Sequence, residues 1–260
     1  MSVLELFRYA VATRRAWWFT ATARTRARFA RTIFGGFWLG LSNLLSIAVL
    51  ALVYGTVFRV ADFRGYVLYL GFGLVLWNSL SSAIAAAPNL LEHQAPLLKN
   101  TSLNPIFYTL EEWAFQLQTF GQSFLLVILT LGFMQPVVWL NLFTAGLLPL
   151  LNFLLALYWI PLIICLFGAR YRDLYQLVPI VLQLLFLLSP ILYQARNLGR
   201  FAWTADVNLL YQLLAPLRDA LLHGHGHPIR GAVMLCVNSV GTWIALWLLN
   251  RNRAALPFFV

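Results

Sequence analysis

Charged residues are scarce in this chain of 260 residues, at 10% of the sequence, whereas hydrophobic residues make up 61%. Soluble domains carry about 25% charged residues, so this composition excludes a soluble globular protein and indicates an integral membrane protein. Cysteine is also rare. Cys165 and Cys236 both lie in apolar runs, which excludes a disulfide framework. The sequence contains no P-loop, so we expect that the chain does not hydrolyse ATP itself.

Acidic residues are few, at eight against 18 basic ones. A membrane glycosyltransferase needs clustered carboxylates that hold Mg²⁺, whereas Glu111 and Glu112 are adjacent and do not face one site on a helix. The histidines His223, His225 and His227 in HGHGHP are more typical of a solvated turn than of a metal site. A net charge of +10 does not indicate nucleic-acid binding, because there is no soluble domain to carry a basic face. The sequence therefore predicts no catalytic residue, no metal site and no nucleic-acid partner.

Uncharged apolar runs predict six membrane-spanning helices, since about 20 apolar residues cross a bilayer. The run between Glu112 and Arg170 is too long for one span and divides at the turn signal 132–136 into a tight hairpin. The predicted spans are 32–58, 65–91, 113–131, 142–168, 174–195 and 231–250. We therefore predict an all-α integral membrane protein, with an interface segment at 1–31 and a six-span transmembrane domain at 32–260.

The basic residues are unevenly distributed between the two sides of these spans. Most of the 18 Lys and Arg residues lie in the N-terminal segment, in loops on the same side, and in the C-terminal tail. Loops rich in Lys and Arg stay on the cytoplasmic side of a membrane. Both termini are therefore predicted to be cytoplasmic.

The N-terminal segment is amphipathic. Over residues 3–18, apolar side chains such as Phe7 and Trp18 recur at helical spacing, while Arg8 and Arg15 share another face. This pattern is typical of an interfacial helix that lies on the inner leaflet. The alternative is a plain basic anchor that only enforces topology.

The stretch 194–230 on the outer side fits no simple span. Its apolar part, 207–217, is too short to cross and contains Pro216. We expect a pair of short re-entrant helices beneath the outer surface, between spans five and six. The alternative, a loose surface loop, would expose several leucines to water.

The start of the fifth span combines charge with proline. Arg170, Arg172 and Asp173 precede an apolar run that Pro179 and Pro190 interrupt. Proline leaves a backbone carbonyl without its helical hydrogen bond, and lipid cannot supply a donor. Such a break is tolerated where neighbouring helices or a water-lined cavity satisfy the carbonyl, so this stretch favours a transport pathway over a passive anchor. On a helix, Arg170 and Asp173 are i,i+3 neighbours, and such a pair would fix the angle of the span. The alternative is that these arginines only enforce topology.

Aromatic side chains gather where the first two spans meet the outer surface, among them Tyr54, Phe58, Tyr66 and Tyr69. An aromatic belt at the membrane interface accounts for most of them. The alternative is a ring that faces a central pathway and stacks on sugars.

The predicted cytoplasmic loop 92–105, EHQAPLLKNTSLNP, has mixed charge, with Glu92 and Lys99 on either side of the apolar pair Leu97 and Leu98. A short amphipathic helix in this loop would dock into a groove of a soluble partner. An ordinary connecting loop is the alternative.

Five segments together resemble the membrane (permease) subunit of type-2 ABC exporters that export lipid-linked O-antigen, capsule or teichoic-acid polysaccharides. The segments are 35–58, 66–84, 96–113, 169–193 and 208–224, in the order of that family. The most specific match is 169–193, with its Arg-aromatic-Arg-Asp start and its Ser-Pro end. The sequence departs from the family pattern at Asn100, where a second basic residue is common, and at Asn104, where an apolar residue is usual.

The resemblance implies a homodimer in the bacterial inner membrane, with the transport channel between the two copies. Each copy would bind a separate cytoplasmic ATPase subunit that holds ATP and Mg²⁺, and this chain itself would hold no cofactor. The residues expected to meet the ATPase are Glu92, Leu97, Leu98, Lys99, Arg8 and Arg15.

The implied substrate is a polyprenyl-diphosphate-linked polysaccharide. Arg24, Arg28 and Arg31 would share a face of a helix and recruit the diphosphate, although a topological role explains them equally well. An exporter of teichoic acid, a drug or another lipid would keep the same fold. A sugar-transferring enzyme is disfavoured by the missing carboxylate cluster.

Overall fold

A computed structural model describes residues 3–57, 59–100, 103–193, 199 and 203–256 of the chain. Regular structure in this part is entirely helical, which confirms the all-α prediction there. The helices are α1 Val3–Ala12, α2 Arg14–Phe29, α3 Phe37–Val57, α4 Phe63–Ala86, α5 Leu90–His93, α6 Ala95–Asn100, α7 Ile106–Met134, α8 Val137–Thr144, α9 Leu147–Gly168, α10 Leu174–Leu188, α11 Trp203–Val207, α12 Leu209–His223 and α13 Pro228–Asn252.

Five of these helices, α3, α4, α7, α9 and α13, are long and apolar enough to cross a membrane. They coincide with five of the six predicted spans, although several ends differ. Helix α3 begins at Phe37 rather than at residue 32, since Gly35 takes a left-handed conformation with φ 56°. Helix α7 begins at Ile106 rather than at residue 113, because it accommodates Glu112 as the ion-pair partner of Arg24.

The predicted fifth span, 174–195, is shorter than expected. Helix α10 has 15 residues, or about 22 Å at 1.5 Å per residue, against a hydrocarbon core of about 30 Å. It ends at Ser189, whose backbone is extended (φ −83°, ψ 136°). A residue before a proline is driven out of the helical region, so Pro190 sets this end. Pro179, in contrast, lies inside the helix.

The predicted tight hairpin at 132–136 is followed by an additional helix. Pro136 is the N-cap residue of α8, and helix α9 begins only at Leu147, after Gly146. The chain does turn at this signal, but the tight hairpin into the fourth span is wrong, because a proline next to the first turn also favours the start of a helix.

Helix α4 is the central helix of the molecule. It packs against α3, α7, α9, α10 and α12, and 67% of its apolar segment is buried. Gly71 lets α4 approach its neighbours closely, because a Cβ atom there would lie 2.7 Å from a methyl group of Leu131. Helix α4 therefore joins the long helices α3, α7 and α9 to the shorter helices α10 and α12.

Polar side chains join α9 to α13, the two helices with the most extensive mutual packing. Asn238, which is fully buried, donates to the side-chain oxygen of Asn152 (2.9 Å) and accepts from the indole of Trp159 (2.9 Å). Inside a membrane, such bonds between helices replace bonds to water.

The N-terminal segment forms two helices, so the prediction of one helix over residues 3–18 is wrong. The chain turns at Thr13, where α1 ends and α2 begins. On α1, Leu6 is buried while Phe7 remains 59% exposed, and α2 packs along α7. The segment therefore has one packed and one exposed side, and it packs on α7 and α13.

Candidate transport hinge and coupling surfaces

The segment expected to couple to the ATPase, here called the coupling segment, consists of α5 and α6 and follows the end of α4. Leu98 is buried in the hydrophobic cluster at this end of the molecule, while Leu97 is 49% exposed and Lys99 is exposed. Arg8 and Arg15 are exposed on α1 and α2. The buried Leu98 therefore anchors the segment, while Leu97, Lys99, Arg8 and Arg15 remain accessible to a partner.

An ion pair connects the coupling segment to the start of α10. The guanidinium of Arg172 lies 3.4 Å from the carboxylate of Glu92, and both side chains are partly accessible. An exposed ion pair contributes about 0–1 kcal/mol to stability, so its importance lies in position rather than in strength.

The expected helical pair of Arg170 and Asp173 is not found in that form. Residues 169–173 form turns, and α10 begins only after Asp173, its N-cap residue. Arg170 lies over the ring of Tyr171, at 5.7 Å. The ion pair at this boundary instead involves Arg172, because the turn brings α10 beside the end of α4.

The α2–α7 interface carries a polar network. Arg24 donates to Glu112 (2.5 Å), whose other carboxylate oxygen accepts from Gln116 (2.8 Å). Gln118 accepts from Thr25 (2.9 Å) two turns further along α7. The network satisfies the buried carboxylate and fixes α2 to α7.

The three arginines expected to recruit a diphosphate differ in their contacts, because only Arg24 takes part in this network. Arg24 is engaged by Glu112 and also lies 4.2 Å above the ring of Phe115. Arg28 is exposed, 5.6 Å from the same ring, and Arg31 lies beyond the end of α2 and is exposed. Arg24 is thus positioned by the protein itself, while Arg28 and Arg31 remain accessible.

The outer end of α10 is bound by side chains of α4 and α12, which we call the Pro190 cluster: Tyr66, Tyr69, Asn208, Tyr211 and Arg218. Tyr69 donates to the carbonyl of Pro190 (2.6 Å) and Tyr66 to that of Leu192 (2.6 Å). Asn208 donates to the hydroxyl of Ser189 (2.7 Å). These bonds satisfy the backbone and side-chain groups that the Ser-Pro break leaves without a helical partner.

Arg218 is the central member of the Pro190 cluster and is 3% exposed. Its guanidinium donates to the Pro190 carbonyl (3.2 Å), the Tyr211 hydroxyl (3.0 Å) and the carboxylate of Asp219 (3.0 Å). Burial by itself lowers the pKa of Arg218, but Tyr69, Asp219 and Tyr211 raise it, and the pKa lies above its ordinary value. The buried side chain therefore stays charged and holds α10, α4 and α12 together.

The aromatic residues of the first two spans lie in different places. Tyr66 and Tyr69 line a cavity of about 1370 Å³ that opens between the outer loops, whereas Tyr54 is half-buried on α3. Phe58 lies outside the described residues. Tyr54 lies near the end of α3, and Tyr66 and Tyr69 lie near the start of α4, where they donate hydrogen bonds to the segment after α10.

The comparison with protein families settles the class of this chain. The family model for the ABC-2 type transporter matches residues 18–222, from α2 to the end of α12. The chain belongs to the ABC-2 type transporter family. This match covers the α2–α7 network, the coupling segment, α10 and the Pro190 cluster.

Among curated proteins, this ABC-2 transporter chain is similar to the O-antigen export system permease protein RfbA of Klebsiella pneumoniae. The two are 24% identical over 244 residues, which cover 88% of each chain. The family and this similarity identify the chain as a membrane subunit of a type-2 ABC transporter, which agrees with the resemblance in the sequence.

Sequence reasoning missed the roles of Arg218 and Glu112. The sequence analysis assigned no role to Arg218 and used Glu112 only as the limit of an apolar run, but each side chain is buried in this ABC-2 transporter chain. A signal was present for Arg218, since it follows the largely apolar stretch 207–217 directly and stands beside Asp219. No comparable signal marks Glu112, because its partner Arg24 is distant in the sequence.

Proposed function

We propose that the chain is the channel-forming membrane subunit of an ATP-driven exporter that moves a polyprenyl-diphosphate-linked polysaccharide out of the cytoplasm. Membership of the ABC-2 family supports an exporter subunit. Similarity to an O-antigen export permease over 88% of both chains supports a glycan of this kind as the substrate.

The mechanism rests on one observation, the Arg172–Glu92 ion pair between the coupling segment and α10. When the ATPase subunits close on ATP, they push on the coupling segment. Because Glu92 holds the start of α10 and the Pro190 cluster holds its outer end, the push changes the tilt of α10 as a rigid element. The channel between two copies then opens or closes with α10.

Helix α10 serves as the fifth of six crossings in this proposal. It begins beside Glu92, just after the inner end of α4, and ends beside Tyr69, in the outer part of α4. It therefore extends over most of the depth that α4 spans, and the segment 189–193 with α12 completes the outer part. With six crossings and the positive-inside rule, both termini lie in the cytoplasm and the protein lies in the bacterial inner membrane.

Two copies of the chain and two ATPase subunits form the working assembly. The exposed Leu97 and Lys99, together with Glu92, Arg8 and Arg15, form the surface that binds the ATPase. ATP and Mg²⁺ are bound by the ATPase, and the membrane subunit contributes no catalytic residue.

Substrate enters from the inner leaflet, where its diphosphate meets cationic side chains. Arg28 and Arg31 are exposed near the inner end of the molecule and supply this charge. Arg24 contributes indirectly, because its bond to Glu112 fixes the helix that carries Arg28.

The test is deletion of the gene in the bacterium that carries it, followed by return of the gene on a plasmid. We expect polyprenyl-linked glycan to accumulate inside the deletion strain, surface glycan to disappear, and both changes to reverse on return. A matched strain with an ATPase subunit unable to hydrolyse ATP should behave like the deletion. Unchanged surface glycan, with loss of teichoic-acid, drug or lipid export instead, would reassign the substrate. ATP hydrolysis by the purified chain alone would refute the division of labour.

A further inference from the structure

The cavity of about 1370 Å³ on the outer side belongs to each single chain and is separate from the coupling surfaces. It lies between the loop that joins α3 to α4 and the loop that joins α12 to α13. Its volume exceeds the roughly 300–1,000 Å³ of a pocket for a drug-sized ligand. A large, partly extended ligand therefore fits it better than a small polar one.

The depth of the cavity follows from the residues that line it. Gly65–Tyr69 of α4, Leu148–Asn152 of α9 and Gly231–Met234 of α13 contribute lining residues, all within the first two turns of their helices. Two turns correspond to about 11 Å. The floor thus reaches about two helical turns past the first residues of these three helices.

The lower walls are mainly apolar. The apolar lining residues include Leu148, Pro149, Leu213, Pro216, Leu222 and Met234. Such walls favour a hydrocarbon chain, because removing the apolar surface of both the walls and the chain from water lowers the free energy.

The rim, in contrast, is cationic. Arg59 and Arg230 line it beside the three histidines of the HGHGHP segment, and Arg230 also donates to the side-chain oxygen of Gln212, another lining residue. Of the two carboxylates in the lining, Asp219 is bound to the buried Arg218, and Asp62 accepts from the backbone of Gly65 at the start of α4. Among the described residues, no group of His, Cys, Asp and Glu is arranged to hold a metal ion. The three arginines of the lining outnumber its two carboxylates, so the rim suits an anionic group better than a cation.

We propose that this cavity binds a lipid that has a phosphate head and a hydrocarbon tail and enters from the outer leaflet. The phosphate lies between Arg59 and Arg230, and the tail extends along Leu148, Leu213 and Met234. The floor contains Tyr66, Tyr69, Tyr211 and Arg218 of the Pro190 cluster. A bound lipid thus touches the same side chains that hold the outer end of α10.

The experiment measures lipid retained by the purified complex with its ATPase, using native mass spectrometry. The probes are phosphatidylglycerol, undecaprenyl phosphate, zwitterionic phosphatidylcholine and inorganic phosphate. We expect the two anionic lipids to be retained in preference to phosphatidylcholine. Replacement of both Arg59 and Arg230 by Gln should weaken that retention by roughly 10- to 30-fold, since each cation near a membrane surface is worth about 1 kcal/mol.

Two matched controls distinguish the cavity from the general surface. Arg64→Gln removes an exposed arginine in the first turn of α4 that does not line the cavity, and should leave retention unchanged. Met234→Trp should fill the cavity and reduce retention of both anionic lipids, while Val233→Trp, on an exposed face of the same helix, should not.

The outcomes separate the sources of the lipid. Preference for undecaprenyl phosphate indicates the isoprenoid carrier, and equal retention of phosphatidylglycerol indicates an ordinary bilayer lipid; both support the site. Equal retention of phosphatidylcholine, competition by inorganic phosphate alone, or equal losses in the control variants would overturn it. Because the assay measures binding and not export, its failure leaves the proposed function intact.

Discussion

The guanidinium of Arg218 lies 4.0 Å from the centre of the Tyr69 ring, and both side chains donate hydrogen bonds to the carbonyl oxygen of Pro190. A cation over an aromatic face is attracted by the ring, most strongly where water is excluded. The two residues come from α12 and α4, while the carbonyl belongs to the segment after α10. One backbone oxygen therefore joins three elements of the outer half.

Arg218→Gln should lower the free energy of unfolding by about 2 kcal/mol or more, because the Pro190 and Tyr211 oxygens lose a charged donor in a buried site. Tyr69→Phe removes one hydroxyl only and should cost about 1 kcal/mol. Thermal unfolding of the purified protein measures both. Tyr171→Phe, at an exposed tyrosine, is the control. An Arg218→Gln protein as stable as the parent would show that the cluster does not hold α10.

Charge reversal at Glu92 or at Arg172 should reduce export while the protein still inserts, since the exposed pair contributes little to stability. The double variant Glu92→Arg with Arg172→Glu should recover export, because it restores the attraction with opposite polarity. Glycan export at matched protein level is the measurement. If the double variant is no better than the single ones, the pair does not transmit motion to α10.

Lys99→Glu should weaken association with the ATPase without a change in unfolding temperature, since Lys99 is exposed on the coupling segment. Co-purification of the ATPase measures the effect. The matched control is Arg26→Glu, which reverses an exposed charge on α2 outside the expected coupling surface. Normal association in Lys99→Glu would move the main docking surface to α1 and α2.

Asp173→Asn should reduce export only modestly. The carboxylate is exposed and makes no capping hydrogen bond, so its contribution is the 0.3–1 kcal/mol or so of a negative charge at a helix N-terminus. Arg172→Gln should reduce export further, and Asp173→Glu should resemble the parent. A larger loss in Asp173→Asn than in Arg172→Gln would restore Asp173 as the main hinge residue.

Arg24→Gln should destabilise the protein by about 1–2 kcal/mol, because the buried carboxylate of Glu112 loses its cation and keeps only Gln116. Arg28→Gln, on the same helix and beside the same Phe115 ring, should leave the unfolding temperature unchanged but lower export if it recruits the diphosphate. Thermal unfolding and export, measured together, separate a positioning arginine from a recruiting one. Equal stability losses in both variants would contradict this assignment.

The number and place of the long helices could be predicted because a bilayer imposes a local rule. A run of apolar residues between fixed charges must satisfy its own backbone, and it does so as a helix, as in α4 and α13. The ends were less predictable. Glu111 and Glu112 were taken to precede the third span, but a partner from α2 lets α7 continue through them.

The composition of the chain determined its class, since 61% hydrophobic residues with 10% charge permit little besides a membrane protein, and the Ser-Pro sequence determined where α10 stops. Only the tertiary structure decided what each boundary charge does. In the sequence, Arg24 and Arg218 cannot be told apart from Arg28 and Arg230, since all four are arginines near a predicted membrane boundary. Long-range packing brings the carboxylate of Glu112 to Arg24 and the carbonyl of Pro190 to the buried Arg218, whereas Arg230 donates to the amide oxygen of Gln212 and Arg28 lies beside the ring of Phe115. The worth of a charge depends on its burial and partners, and these are set by helices distant in the chain.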